Sequence, residues 1–163
     1  MIIGVINIKG GVGKTTSSLA IATAAQRSGL SVTVVDTDPQ GSATLWAQAA
    51  EDADDPLPFP VVSRNQAEIR RMRERRPDRN GELIVIDTPP NGAVVDEAIK
   101  TADFVVIPTL SSPIDLQQTM LTAAQCQDAG KDYAVLIVMA RKGTNALRAF
   151  RTAVEEYGAG IFD

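Results

Sequence analysis

Eight residues near the start of the chain, Lys9-Gly10-Gly11-Val12-Gly13-Lys14-Thr15-Thr16, have the make-up of a phosphate cradle. Gly10, Gly11 and Gly13 let backbone N–H groups turn inward toward phosphate oxygens, and a helix opening near Lys14 aims the positive end of its dipole at the same place. Lys14 can neutralise β- and γ-phosphates, and the Thr15 hydroxyl can help hold Mg²⁺. Lys9 is surplus to such a site within one subunit; its plain alternative is a solvated lysine on a loop edge. The carboxylates that this chemistry also needs stand in two places. Asp36 and Asp38 are separated by one residue in Asp36-Thr37-Asp38-Pro39-Gln40-Gly41-Ser42. One of the two can support Mg²⁺ through water and the other can orient an attacking water, while Asp38 or Ser42 can also cap the helix that follows. Asp87 ends the apolar run Leu83-Ile84-Val85-Ile86 and is followed by Thr88-Pro89-Pro90. An acid at a strand end is common by itself; with the other two segments it completes a metal-phosphate constellation.

Such groups must be held at strand ends, and the patterning supplies the strands. Short Val- and Ile-rich runs alternate with helix-length segments, as expected of strands buried on both faces by crossover helices. The pattern predicts strands near residues 2–8, 31–36, 60–63, 82–87, 103–108 and 133–139, and helices near 14–28, 42–50, 65–76, 93–101, 114–129 and 145–157. The cradle then lies between a strand and a helix, and both Asp36 and Asp87 end strands where ligands bind in open α/β sheets.

Composition narrows the chemistry further. With 163 residues and 44% hydrophobic content, one domain with a buried core is expected. The chain has no histidine, so catalysis falls to carboxylates, lysines, backbone dipoles or a bound metal. Cys126 is the only cysteine, which excludes an intrachain disulfide and a four-thiolate site in one chain, and a reducing cytoplasm is the expected setting. No basic leader or long apolar run is seen, so a soluble, unexported chain with no membrane partner is expected. The net charge of -4 confines any contact with DNA to a local patch.

Three segments stand apart. Residues 51–60 hold four acids and three prolines and read as an exposed loop that cannot continue a helix. Residues 70–79 hold six arginines, which with Arg64 can form a basic helical face, although helical spacing spreads them around the axis and Glu68, Glu74 and Asp78 intervene. Ile161 and Phe162 read as the opening of a further strand, and the expectation is a single domain over 1–163 that lacks a C-terminal strand and helix.

Together, the cradle with Lys9, then Asp36-Thr37-Asp38-Pro39-Gln40-Gly41-Ser42-Ala43-Thr44, Ile86-Asp87-Thr88-Pro89-Pro90, and Val105 to Thr109 with Ser112 to Leu116 resemble the ParA/MinD family of deviant Walker A ATPases in order and spacing. The likeness runs over essentially the whole chain; Asp38-Pro39-Gln40 favours the plasmid and chromosome partition (ParA) branch, and with no N-terminal helix-turn-helix extension the expectation is its small form. The resemblance implies a doubly wound, mainly parallel P-loop NTPase fold with a deviant Walker A motif. It implies a site for ATP and Mg²⁺, with Lys9 to Thr16 around the phosphates, Thr15, Asp36 and Asp87 at the metal, and Asp38 positioning water. Lys9 would reach across an ATP-dependent homodimer to the partner's nucleotide, and Pro108 and Arg141 would approach the adenine. Function would be DNA partition, with nonspecific DNA binding on the nucleoid and hydrolysis stimulated by a ParB-like or centromere-binding protein. The alternatives are a relative that positions another cargo, and a nucleotide-binding fragment without turnover.

Overall fold

In the computed structural model, which describes residues 1–74 and 81–162, every predicted element forms within the described residues, the last two positions of the helix predicted near 65–76 lying outside them. The order is β1 (Ile2–Val5), α1 (Lys14–Arg27), β2 (Ser31–Asp36), α2 (Ser42–Asp52), β3 (Val61–Ser63), α3 (Gln66–Glu74), β4 (Glu82–Asp87), α4 (Ala93–Thr101), β5 (Phe104–Thr109), α5 (Pro113–Asp128), β6 (Asp132–Ile137), α6 (Asn145–Glu156) and β7 (Gly160–Ile161). The strands form one sheet in the order β3-β2-β4-β1-β5-β6-β7, and each pairing is parallel. The sheet is thus parallel throughout the described residues.

Alternation along β4 shows why both faces are covered. Leu83 and Val85 join Leu19 and Ala22 of α1, Ala43 of α2 and Phe59. Ile84 and Ile86 join Ile69 of α3, Val95, Ala98 and Ile99 of α4, and Ala123 and Cys126 of α5. A period of two within one strand therefore feeds two helical layers, the doubly wound arrangement. Phe150 and Val154 of α6 build a smaller core with Val135 of β6 and Leu116 and Met120 of α5.

Register places the chemistry. Asp87 pairs with both Val5 of β1 and Asp36 of β2, so the three strand ends stop level with one another. Beyond β1 the strands continue on its other side through β5, which makes this the switch point where such sheets bind ligands.

Two expectations need correction. The acidic segment does continue a helix for two residues: α2 runs to Asp52, because its first proline comes only at Pro56. Nor is the loop after it wholly exposed, since Phe59 is buried in the α1–α2 core. Of the arginine-rich stretch, residues 75–79 lie outside the described residues, including Arg75, Arg76 and Arg79. Arg64 pairs with Glu68 at 3.6 Å and Arg70 with Glu74 at 3.2 Å. Arg73 meets Glu97 of α4 at 2.9 Å, a charge contact without hydrogen-bond alignment.

Candidate functional site

A cavity of about 300 Å³ opens over the level strand ends, lined by Gly10, Gly11, Gly13, Lys14, Thr15, Thr16, Asp38, Gln40, Ser42, Thr88 and Pro90. Its floor is the start of α1. Gly13 precedes the helix with φ 78, a left-handed backbone that favours glycine, and no side chain caps the helix. The first turn also carries no acid, so its free N–H groups and the helix dipole are left for an anion. Val12 faces inward at 1% exposure, so only its backbone belongs to the cradle.

Lys14 is buried, and its ammonium donates to the Lys9 carbonyl at 2.8 Å. Burial holds its pKa below the ordinary lysine value, against the pull of Asp87 and Asp38. A phosphate beside it would restore the charge balance that the loop carbonyl supplies only in part.

Asp87 is stitched in from every side. Its carboxylate accepts from the Thr15 hydroxyl at 2.7 Å and the Ser18 hydroxyl at 3.0 Å, and its carbonyl accepts from the Thr37 hydroxyl at 2.7 Å. Burial raises its pKa to about 6; the Thr15 and Ser18 hydrogen bonds oppose the rise, and neighbouring Asp36 adds to it. Two buried acids at adjoining strand ends against one buried lysine make a locus that a divalent cation would suit. Thr15 and Asp87, already in contact at 2.7 Å, could hold Mg²⁺ there.

Asp36 and Asp38 occupy different settings. Asp36 is fully buried, and its carboxylate accepts from the backbone N–H of Thr44 at 2.9 Å, the Thr44 hydroxyl at 2.8 Å and the N–H of Asp38 at 3.1 Å. It satisfies a first-turn donor of α2 from across the loop, the task left undone by Gly41, which precedes α2 with φ 63 and no side-chain cap. Neither Asp38 nor Ser42 caps that helix. Asp38 lines the cavity; its carboxylate accepts from the N–H of Gln40 at 2.9 Å and its carbonyl from the N–H of Gly41 at 2.8 Å.

Lys9 is not aimed into its own cavity. Its ammonium bonds to Asp115, which is 2% exposed, and its N–H donates to Asn7 at 2.9 Å. Asp115 belongs to the capping box of α5 with Ser112. Burial disfavours its charge, but bonds from Lys9 and Ser112 outweigh that and hold its carboxyl below the ordinary range. Pro108 is buried in β5, its carbonyl accepting from Asn7 at 2.9 Å, and Arg141 is exposed on the loop after β6. Neither lines the cavity.

Ser18, Thr44, Asp115 and Asn7 were not foreseen in these roles. Ser18 alone carried a local signal, lying three residues after Thr15 on the same helix face.

The glycine-capped helix start, the buried lysine and the aspartate at the adjacent strand end define a P-loop NTPase. The chain belongs to the CobQ/CobB/MinD/ParA nucleotide binding domain family, whose profile matches residues 3–162. Among curated proteins, the "Maintenance of carboxysome distribution protein A" of Gloeobacter kilaueensis is 34% identical, the match covering 99% of this chain and 74% of that protein. The protein of the same name from Halothiobacillus neapolitanus is 30% identical, covering 98% and 76%. Protein ParA of Rhizobium radiobacter is 28% identical over 84% of this chain and 63% of its own length. Among solved structures, the MinD cell division protein of Aquifex aeolicus superposes with a TM-score of 0.78 at 17% identity, over 98% of this chain and 79% of that one. Cobyrinic acid a,c-diamide synthase from Mycobacterium smegmatis, solved with ADP and magnesium, gives 0.70 at 21% identity, over 95% and 81%. These structures share the fold.

Among the described residues no helix is long and apolar enough to cross a membrane.

Proposed function

We propose that the chain is an ATP-driven positioning switch in which Mg²⁺-ATP closes a homodimer and hydrolysis reopens it. The observation that carries this reading is the pair of lysines: Lys14 lies buried at its own cradle, whereas Lys9 stands at the rim, turned to Asp115. A single-subunit site needs only the first. A cation delivered by the second copy would meet the charge that develops as the γ-phosphoryl group departs.

In this reading the first-turn N–H groups of α1 and Lys14 bind the phosphates. Thr15 and Asp87 hold Mg²⁺, which when bound neutralises phosphate charge, and Asp36 keeps the intervening loop in register. Asp38 orients the attacking water. Pro108 and Arg141 remain the proposed adenine neighbours. Turnover is slow until a partner protein stimulates it, as in other switch NTPases.

The partition reading and the cargo-positioning reading share this chemistry, and the carboxysome-distribution relatives give the second equal standing. Nonspecific DNA is the proposed track for either. Of the described arginines of the basic stretch, Arg64, Arg70 and Arg73 each meet a carboxylate, whereas Arg71 is exposed on α3.

ADP release with Mg²⁺ tests the switch. Lys14→Ala and Asp38→Ala should each lose about 10²-fold in rate or more, and equal turnover in all three proteins would sink the ATPase reading. Lys9→Ala should still bind nucleotide yet fail to dimerise with ATP by light scattering; an unchanged dimer would remove the trans role. A mobility shift of nonspecific duplex that needs ATP would support the DNA track.

A further inference from the structure

Helix α2 exposes what a helix normally buries. Its inward positions are small, Ala43, Ala47 and Ala50, and only Ala43 is fully buried. Leu45 and Trp46 face outward at 60% and 50% exposure, and Ala49, also exposed, lies one turn beyond Leu45. Leu45, Ala49 and Asp52 recur at the spacing that shares one helix face, with Trp46 beside them. Scattered exposed apolar residues are ordinary, but here the two largest side chains of one helix stand together on its outer face.

The charge at the end of the same helix is also uncompensated. Glu51, Asp52, Asp54 and Asp55 are all exposed, and the last turn of α2 contains no basic residue. They gather where the helix carbonyls already concentrate negative potential. The N–H groups of Asp54 and Asp55 donate back to Glu51 and Ala50, both at 3.0 Å, which keeps the four acids wrapped around the helix end. Among the described residues none of the four forms an ion pair. The acids of α3 contrast with them, since Glu68 and Glu74 each meet an arginine.

We propose that the outer face of α2 is a docking surface for a basic amphipathic helix of a partner protein. Its apolar residues would seat on Leu45 and Trp46, and its lysines or arginines on the four carboxylates. The local negative field disfavours nucleic acid or an anionic bilayer as the occupant. The surface also has a route to the nucleotide cavity: α2 starts at Ser42, which lines that cavity, and is tied by Thr44 to Asp36. That connection rests on the proposed ATPase function, whereas docking is measured on nucleotide-free protein, so the two fail separately.

Trp46 is the only tryptophan of the chain, so its fluorescence reports the surface directly. The intact protein is titrated with a synthetic Leu/Lys amphipathic helix and with a Leu/Glu helix of the same pattern. The expected result is a saturable blue shift with the first and none with the second. Asp52→Asn combined with Asp55→Asn should weaken the Leu/Lys complex about tenfold at low salt. Glu155→Gln with Glu156→Gln, an equal change of charge on exposed positions of α6, should leave it unaltered. Leu45→Ser should weaken binding with the charges intact. Four results would overturn the proposal: no shift with the Leu/Lys helix, equal shifts with both helices, equal weakening from the α6 pair, or a blue shift produced by protein concentration alone, which would make a second copy the occupant.

Discussion

Helices α1 and α2 begin alike and are held differently. Each follows the C-terminal end of a central strand, and each is preceded by a left-handed glycine, Gly13 or Gly41, with no side-chain cap. Yet α1 buries Lys14, Ser17, Ser18, Leu19 and Ala22, whereas α2 buries only Ala43. The first helix is therefore a wall of the core that fixes the phosphate cradle. The second is tethered mainly at its start, by Thr44 on Asp36. The same opening geometry yields a rigid anion site in one place and a loosely docked element in the other, and what separates them is packing.

Truncation on the buried face of α1 should have the largest effect on stability. Leu19 is 6% exposed and packs with Val5, Val34 and Val85 under the cradle. Leu19→Ala should cost about 2–5 kcal/mol in urea unfolding, from lost transfer energy plus the cavity left behind. A loss below about 1 kcal/mol would mean that this site collapses freely and that α1 is no firmer than α2.

The same contrast explains what could be read from the residue order. Cradle, Asp36, Asp38 and Asp87 were legible because strand, loop and helix follow one another locally, and the two-residue period of β4 announced burial on both faces. The end of β1 was less so: Ile6 and Asn7 are fully buried although they have left the strand, so the apolar run overshoots the ladder. Long-range partnerships gave no signal. Asp115, which holds Lys9, lies 106 residues away. Nearer at hand, the Asp36 carboxylate accepts from Thr44 and from the Asp38 N–H, bonds that its place at a strand end did not announce. Helical spacing also located α2 without saying which of its faces would find a neighbour, because alanines filled the inward positions.

The tether of α2 can be cut without touching its core. Thr44→Val keeps the shape and the backbone N–H but removes the hydroxyl bond to Asp36, a bond to a charged group worth about 1.5–3 kcal/mol when buried. Since Thr44 is itself half-buried, a global loss of about 1–2 kcal/mol is expected. Hydrogen exchange should speed up from Ser42 to Trp46 and stay unchanged from Ser18 to Ala22. Uniform acceleration in both helices would show that Asp36 supports the whole sheet edge and not α2 in particular.

Leu45→Ser sets the lower end of the scale. With most of its side chain in water, Leu45 contributes little burial, and serine lowers helix propensity by only a few tenths of a kcal/mol. The expected change in urea unfolding is within about 0.5 kcal/mol, an order of magnitude below the upper range for Leu19. Because both positions start as leucine on helices that begin the same way, the ratio of the two losses measures packing with local geometry held nearly constant. A cost above about 1.5 kcal/mol would mean that the face is covered in the free protein. If that cost also grew with protein concentration, the cover would be a second copy, since only association makes stability depend on concentration.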